Sequence, residues 1–172
     1  MDIKIIPCWI PREENEAADA LSKFRDTDDW GIDPESFQYI QQKFGHFDID
    51  RFADPANAKL RRFDSRFHNP QCENVNTFTV DWANEFNWWC PPTFLVPDTI
   101  RHAKTCKATG VLLVPEWPTS FFWPLLTPDG KHFDNFVKDY VVLDPYFHST
   151  CPKSIFNGFA SFRTLALLIS FA

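Results

Sequence analysis

The run Asn87-Trp88-Trp89-Cys90-Pro91-Pro92-Thr93-Phe94 ends an aromatic segment in two consecutive prolines. Proline fixes φ at about −65° and donates no backbone hydrogen bond, so a strand stops where two occur in succession. The stretch therefore predicts a buried strand that reaches a sheet edge and turns into a loop. Open α/β sheets place their ligands at the carboxyl ends of strands. Two readings follow from this local pattern: a ligand-facing loop, or a rigid strand-to-helix turn beneath an aromatic core.

Downstream, residues 96–108 predict a helix, with Ile100, Ala103 and Lys104 at helical spacing and Gly110 closing it. Val111-Leu112-Leu113-Val114 is a continuous apolar run, as in a central strand, and Pro115-Glu116-Trp117-Pro118 ends it at another carboxyl end. Residues 121–126 start a helix or cover the sheet. Asp129-Gly130 is a turn, residues 140–143 a strand, and residues 145–158 mostly loop. The apolar end, residues 165–172, predicts a terminal strand or helix packed on the core, and it is too short for a membrane span.

Upstream, residues 78–80 read as a short strand ending at Asp81-Trp82. Residues 47–53 alternate as a strand with Asp48 and Asp50 on one face. Asp33-Pro34-Glu35 supplies an N-cap, a first-turn proline and an acid at the positive end of the dipole. Phe37, Ile40, Gln41 and Phe44 follow as a stripe, and Gly45 stops the helix. The basic segment Lys59, Arg61, Arg62 and Arg66, interleaved with Phe63 and Phe67, is the local feature suited to a phosphate backbone and stacked bases. A solvated loop anchored by its phenylalanines is the competing reading. Residues 3–10 read as a strand and residues 12–25 as a helix, followed by an acidic linker, Asp26-Thr27-Asp28-Asp29. Helices alternating with apolar strands from 30 to 143 predict an α/β, Rossmann-like fold with a largely parallel sheet flanked by helices.

With 172 residues and 19 Phe, the chain can bury a sizeable core in one domain. A net charge of −6 excludes a broad basic footprint for nucleic acid. The five cysteines are widely spaced and include no Cys-x-x-Cys pair. That pattern suits reduced thiols in an intracellular protein, cytoplasmic or nuclear, rather than a disulfide framework or a zinc site. The five histidines have no metal-ligand spacing.

Two resemblances lie along the chain. The first is Trp9-Ile10-Pro11-Arg12, then Asn15, then Ala18-Asp19-Ala20-Leu21-Ser22-Lys23. It resembles the last strand and helix of the ribonuclease H domain in retroelement reverse transcriptases. The resemblance implies that Asp19 is one of several carboxylates holding Mg²⁺, which activates water for hydrolysis. The other carboxylates would precede Met1, so ribonuclease H activity is not expected of this chain alone.

The second runs in one order through Trp30, Phe37 to Gly45, Asp48-x-Asp50-x-x-Ala53, Asn57-Ala58, Arg62-Phe63, Asp81-Trp82, Trp89-Cys90-Pro91-Pro92 and Val111 to Pro115. That order is similar to the phage-type Dam DNA N6-adenine methyltransferases. DIRS-type retroelements carry such a segment after reverse transcriptase and ribonuclease H. The pair implies a polyprotein fragment: residues 1–25 a ribonuclease H remnant, 26–150 a methyltransferase-like domain and 151–172 a tail. The implied partners are DNA or an RNA–DNA hybrid, and the upstream polyprotein; no membrane association is expected.

In active relatives an Asp or Asn, two prolines and an aromatic residue hold the flipped adenine. Here Cys90 takes the polar position, Thr93 the aromatic one, and Phe94 follows one place later. A thiol is a weak acceptor and threonine has no stacking face. The expected role is therefore an inactive, nucleic-acid- or protein-binding descendant. The alternatives are an active enzyme using S-adenosylmethionine, with Asp50 at the donor and Phe94 as the aromatic, or a structural module packed on the upstream reverse transcriptase.

Overall fold

The computed structural model describes residue 11 and residues 30–143, 146–148, 154–156, 158–159 and 162–172. The expected N-terminal strand, helix and linker, Asp19 among them, lie outside the described residues. The described elements are strands β1 (Gly31–Ile32), β2 (Ile49–Asp50), β3 (Asp64–Ser65), β4 (Asn74–Val75), β5 (Phe86–Trp89), β6 (Thr109–Pro115), β7 (Val137–Leu143), β8 (Tyr146–His148), β9 (Gly158–Phe159) and β10 (Thr164–Ser170). Helices α1 (Pro34–Phe44), α2 (Val96–Cys106) and α3 (Trp123–Leu126) stand among them.

Five strands form the central sheet in the order β2-β5-β6-β10-β7. β2, β5 and β6 run parallel, whereas β10 is antiparallel to both neighbours. The parallel pair β3-β4 extends the β2 edge through an Asp50–Phe63 bridge. The amides of Asp50 and Ala53 reinforce it, donating to Arg62 O and Asp64 O at 3.0 and 3.1 Å. The outcome is the mostly parallel, helix-flanked α/β sheet that the sequence predicts. β1, β8 and β9 make a small separate antiparallel sheet.

α1 begins as its cap chemistry dictates. Asp33 Oδ1 accepts from the Ser36 amide at 2.8 Å, and Gly45 leaves the helix at φ 106°. Its buried Phe37 packs edge-on against Trp88, with ring centroids 4.9 Å apart, on one face of the sheet. α2 covers the other face, where Ile100 and Ala103 join Trp82, Trp89 and Leu112. Successive residues of β5 thus feed opposite cores, as strand alternation requires.

Four sequence expectations need correction. Gly110 does not close α2: the helix ends at Lys107, which adopts φ 53°, and Gly110 lies within β6. A Cβ there would stand 2.5 Å from Asn87 O and 2.8 Å from the Trp89 ring, so glycine is needed for close strand packing. Residues 77–79 form a 3₁₀ turn rather than a strand, with the Asn76 side chain capping Phe78 N. The strand expected over 47–53 shrinks to Ile49–Asp50, and Asp48 is exposed instead of sharing the buried side of Asp50. Residues 64–65, within the segment for which a solvated loop was the competing reading, pair as a strand with residues 74–75.

Candidate functional site

From β2 the chain builds outward through β3 and β4, then returns to add β5 and β6 on the other side. The order reverses between β2 and β5, and a crevice at such a switch point is where open α/β sheets bind ligands. Asp50 is the last residue of β2, and Cys90-Pro91-Pro92 directly follow β5. The two halves of the sequence-predicted site therefore meet at one sheet edge.

Asp50 is 2% exposed. Its Oδ1 accepts from the Phe52 amide at 3.3 Å and its Oδ2 from the Lys59 amide at 3.0 Å, folding residues 51–59 back over the strand end. Burial pushes its pKa up to about 6, against the opposing pull of those two amides and the Lys59 charge. Lys59 itself donates its ammonium to Ile32 O at 2.7 Å.

Next to it, the buried Arg51 spans three partners. Its guanidinium donates to Asp64 Oδ2 at 2.9 Å, to Asn87 Oδ1 at 2.8 Å and to Glu85. Asn87 in turn donates to the carbonyls of Trp82, Glu85 and Thr109. This network ties β2, β3 and β5 together beneath the site. The sequence reading missed it; the available signal was an asparagine inside the aromatic strand β5 and an arginine directly after β2.

Cys90 is buried, and its thiol donates to Trp30 O at 3.4 Å. The Trp30 indole Nε1–H donates to the Pro91 carbonyl at 2.9 Å. Trp30 is thus laid across the double-proline motif by two hydrogen bonds in opposite directions. Pro92 leads into a 3₁₀ turn over Thr93–Leu95, on which Phe94 is 46% exposed while Thr93 is half-buried. The ring of Phe94 is accessible beside the motif.

The basic segment is not a continuous cationic strip. Arg62 is held in a bidentate pair with Glu73 at 2.7 Å and also reaches Glu85, so its charge is neutralised locally. Those bonds raise the Arg62 pKa and hold the Glu73 carboxyl below the usual range. The Arg66 guanidinium lies 5.2 Å from the centroid of the exposed Phe67 ring, and Arg61 is exposed. Phe63 anchors the segment in the core and Phe67 does not. No group of three or more metal-ligating side chains occurs among the described residues. No described helix is long and apolar enough to cross a membrane.

No curated protein matches the chain. A family model described as DNA N-6-adenine-methyltransferase (Dam) matches residues 20–130. That span covers well over half of the 172 residues and contains Asp50, the Arg51 network and the Cys90-Pro91-Pro92 motif. The sheet switch point, the acid closing β2 and the proline pair closing β5 all fall inside it. The chain belongs to the Dam DNA N-6-adenine-methyltransferase family.

Proposed function

We propose that the chain is an S-adenosylmethionine-dependent DNA N6-adenine methyltransferase whose base-holding motif reads Cys90-Pro91-Pro92-Thr93. The observation that carries this reading is the meeting of Asp50 and the double-proline motif at the switch point of a family-matched sheet. Asp50 fits the donor. Each of its oxygens accepts one amide bond, which leaves lone pairs for the ribose hydroxyls. Its loop, residues 51–59, would wrap that end of the donor. S-adenosylmethionine supplies a methyl group activated on a sulfonium.

The residues of the chain then have to hold the adenine amino group so that its lone pair faces that methyl. The Pro91 carbonyl has a second lone pair beyond the one used by Trp30, and it accepts the amino group. Cys90 adds little as an acceptor, and Phe94 provides the accessible ring that Thr93 lacks. The base half of the site is thus weaker than the donor half, and transfer is slow. DNA is the partner by this reading.

One observation favours a second reading. The Cys90 thiol and the Pro91 carbonyl are both engaged by Trp30, the arrangement expected of a site closed to a base. By that reading the chain is a retroelement-derived, catalytically inactive descendant with a ribonuclease H remnant at residues 1–25, retained for binding nucleic acid or protein.

Incubation with adenine-containing duplex DNA and methyl-labelled S-adenosylmethionine separates the two. Label on adenine N6 supports the first. Donor binding by titration calorimetry without any label in DNA supports the second. Absence of both overturns the donor fit at Asp50.

A further inference from the structure

The ring of Phe156 is 2% exposed and stacks on two indoles at once. Trp30 lies 4.9 Å away at an interplanar angle of 25°, and Trp117 lies 5.9 Å away at 30°. Trp30 is the residue hydrogen-bonded to Cys90 and Pro91, and Trp117 lies two residues past the end of β6, the strand beside β5. Phe162 closes the cluster edge-on, 5.1 Å from Trp117. Three roughly parallel rings therefore form a row that starts at the motif with Trp30, and the one touching both indoles comes from a distant segment of the chain.

A second observation points to a polar ligand at the same place. Thr164 is fully buried, and its hydroxyl Oγ1 has no hydrogen-bond partner among the described residues. It opens β10 opposite Pro115, and strand alternation puts it on the face of Ala166, the face of the core that holds Trp30, Cys90 and Phe156. A buried hydroxyl without a partner costs free energy, and an apolar phenylalanine ring offers it nothing.

We infer that Phe156 fills a nucleobase-stacking slot formed by Trp30 and Trp117, and that an unstacked base enters by displacing it, with Thr164 facing the polar edge of the base. The inference rests on the methyltransferase reading only for the identity of the base as adenine. It supplies aromatic faces for the base in addition to the Phe94 ring, from residues outside the motif. It also makes the C-terminal segment around Phe156 an internal competitor of the substrate.

The test uses the full chain and a single-stranded oligonucleotide carrying one 2-aminopurine, whose fluorescence is quenched on stacking. Base–aromatic stacking is worth about 1–3 kcal/mol, equivalent to roughly fivefold or more in affinity. Phe156→Ala and Phe156→Leu, checked for folding by circular dichroism, are expected to bind roughly fivefold tighter than the unsubstituted chain, with stronger quenching. Adding Trp117→Leu is expected to abolish that gain. In the otherwise native chain, Trp117→Leu alone is expected to weaken quenching by a similar factor, a reading that stands even if the Phe156 variants do not fold.

Unchanged affinity in folded Phe156 variants, or quenching indifferent to Trp117, overturns the slot. If the slot behaves as described and no label reaches DNA, the slot stands and the methyltransferase reading falls. If label is transferred while the Phe156 and Trp117 variants change nothing, the slot alone falls.

Discussion

Replacing Asp50 by asparagine probes the proposed donor side of the site through its proton. Burial lifts this carboxyl from 3.8 to about 6 in the folded chain. A shift of that size corresponds to about 3 kcal/mol, from the conversion of about 1.4 kcal/mol per pKa unit. The sign follows from which state holds the proton. Between about pH 4 and pH 6 the folded chain keeps a proton on Asp50 that the unfolded chain has lost, so stability falls as pH rises through that window and is level above it. Asp50→Asn removes the titration. The two amides of Phe52 and Lys59 then share one acceptor oxygen instead of two, a cost of about 1–3 kcal/mol that does not vary with pH. Urea unfolding followed by tryptophan fluorescence from pH 4 to pH 7 gives both terms. The difference in stability, variant minus parent, is expected to climb by about 3 kcal/mol across the window. Because the other carboxylates titrate equally in both proteins, they cancel. Parallel stability curves for parent and variant would refute the reasoning, and with it the buried, proton-holding state of Asp50.

Two further substitutions test the frame beneath the site. Gly110→Ala places a methyl group 2.5 Å from Asn87 O and 2.8 Å from the Trp89 ring, and backbone on one side cannot yield. It is expected to lower the urea midpoint by an amount equivalent to about 2–3 kcal/mol, and unchanged stability would contradict the close β5–β6 packing. Among the described residues, Arg51→Met leaves the side chain of the fully buried Asp64 with only its Asn74 and Thr77 partners. The expected loss is about 3–5 kcal/mol, read from the same titration, because an uncompensated buried charge remains.

Helix α1 was legible because its signals are local: a capping aspartate directly before an eleven-residue helix, with a first-turn proline and an apolar stripe within it. Strand β6 was legible because a fully buried central strand is apolar throughout. The placing of Asp50 and the proline pair at strand ends was legible too, because a turn or two prolines stop each strand. What escaped was set by distant partners. Strands β3 and β4 are two residues each, and the polar Asp64 and Ser65 of β3 are buried because Arg51 waits beneath Asp64. β10 was expected as a strand or a helix, and it takes a place between β6 and β7 that apolar composition alone could not specify. Gly110 looked like a helix stop and instead makes room for Trp89. Trp117 and Phe156 were read as strand end and loop, although they stack in a row with Trp30, which is bonded to the double-proline motif. Of the two alternatives for residues 87–94, the structure shows the turn beneath an aromatic core, with Trp30 bonded to the Pro91 carbonyl.

The measurement that bears most directly on the assignment compares label transfer from methyl-labelled S-adenosylmethionine to adenine N6 in DNA by the unsubstituted chain and by Cys90→Asn. Asparagine restores an amide oxygen where the thiol is a weak acceptor. A hydrogen bond of that kind at the reacting amino group is worth roughly tenfold to hundredfold in rate. Slow transfer by the parent and transfer faster by that factor in the variant are expected. No transfer by either protein, with the fold intact, would contradict it.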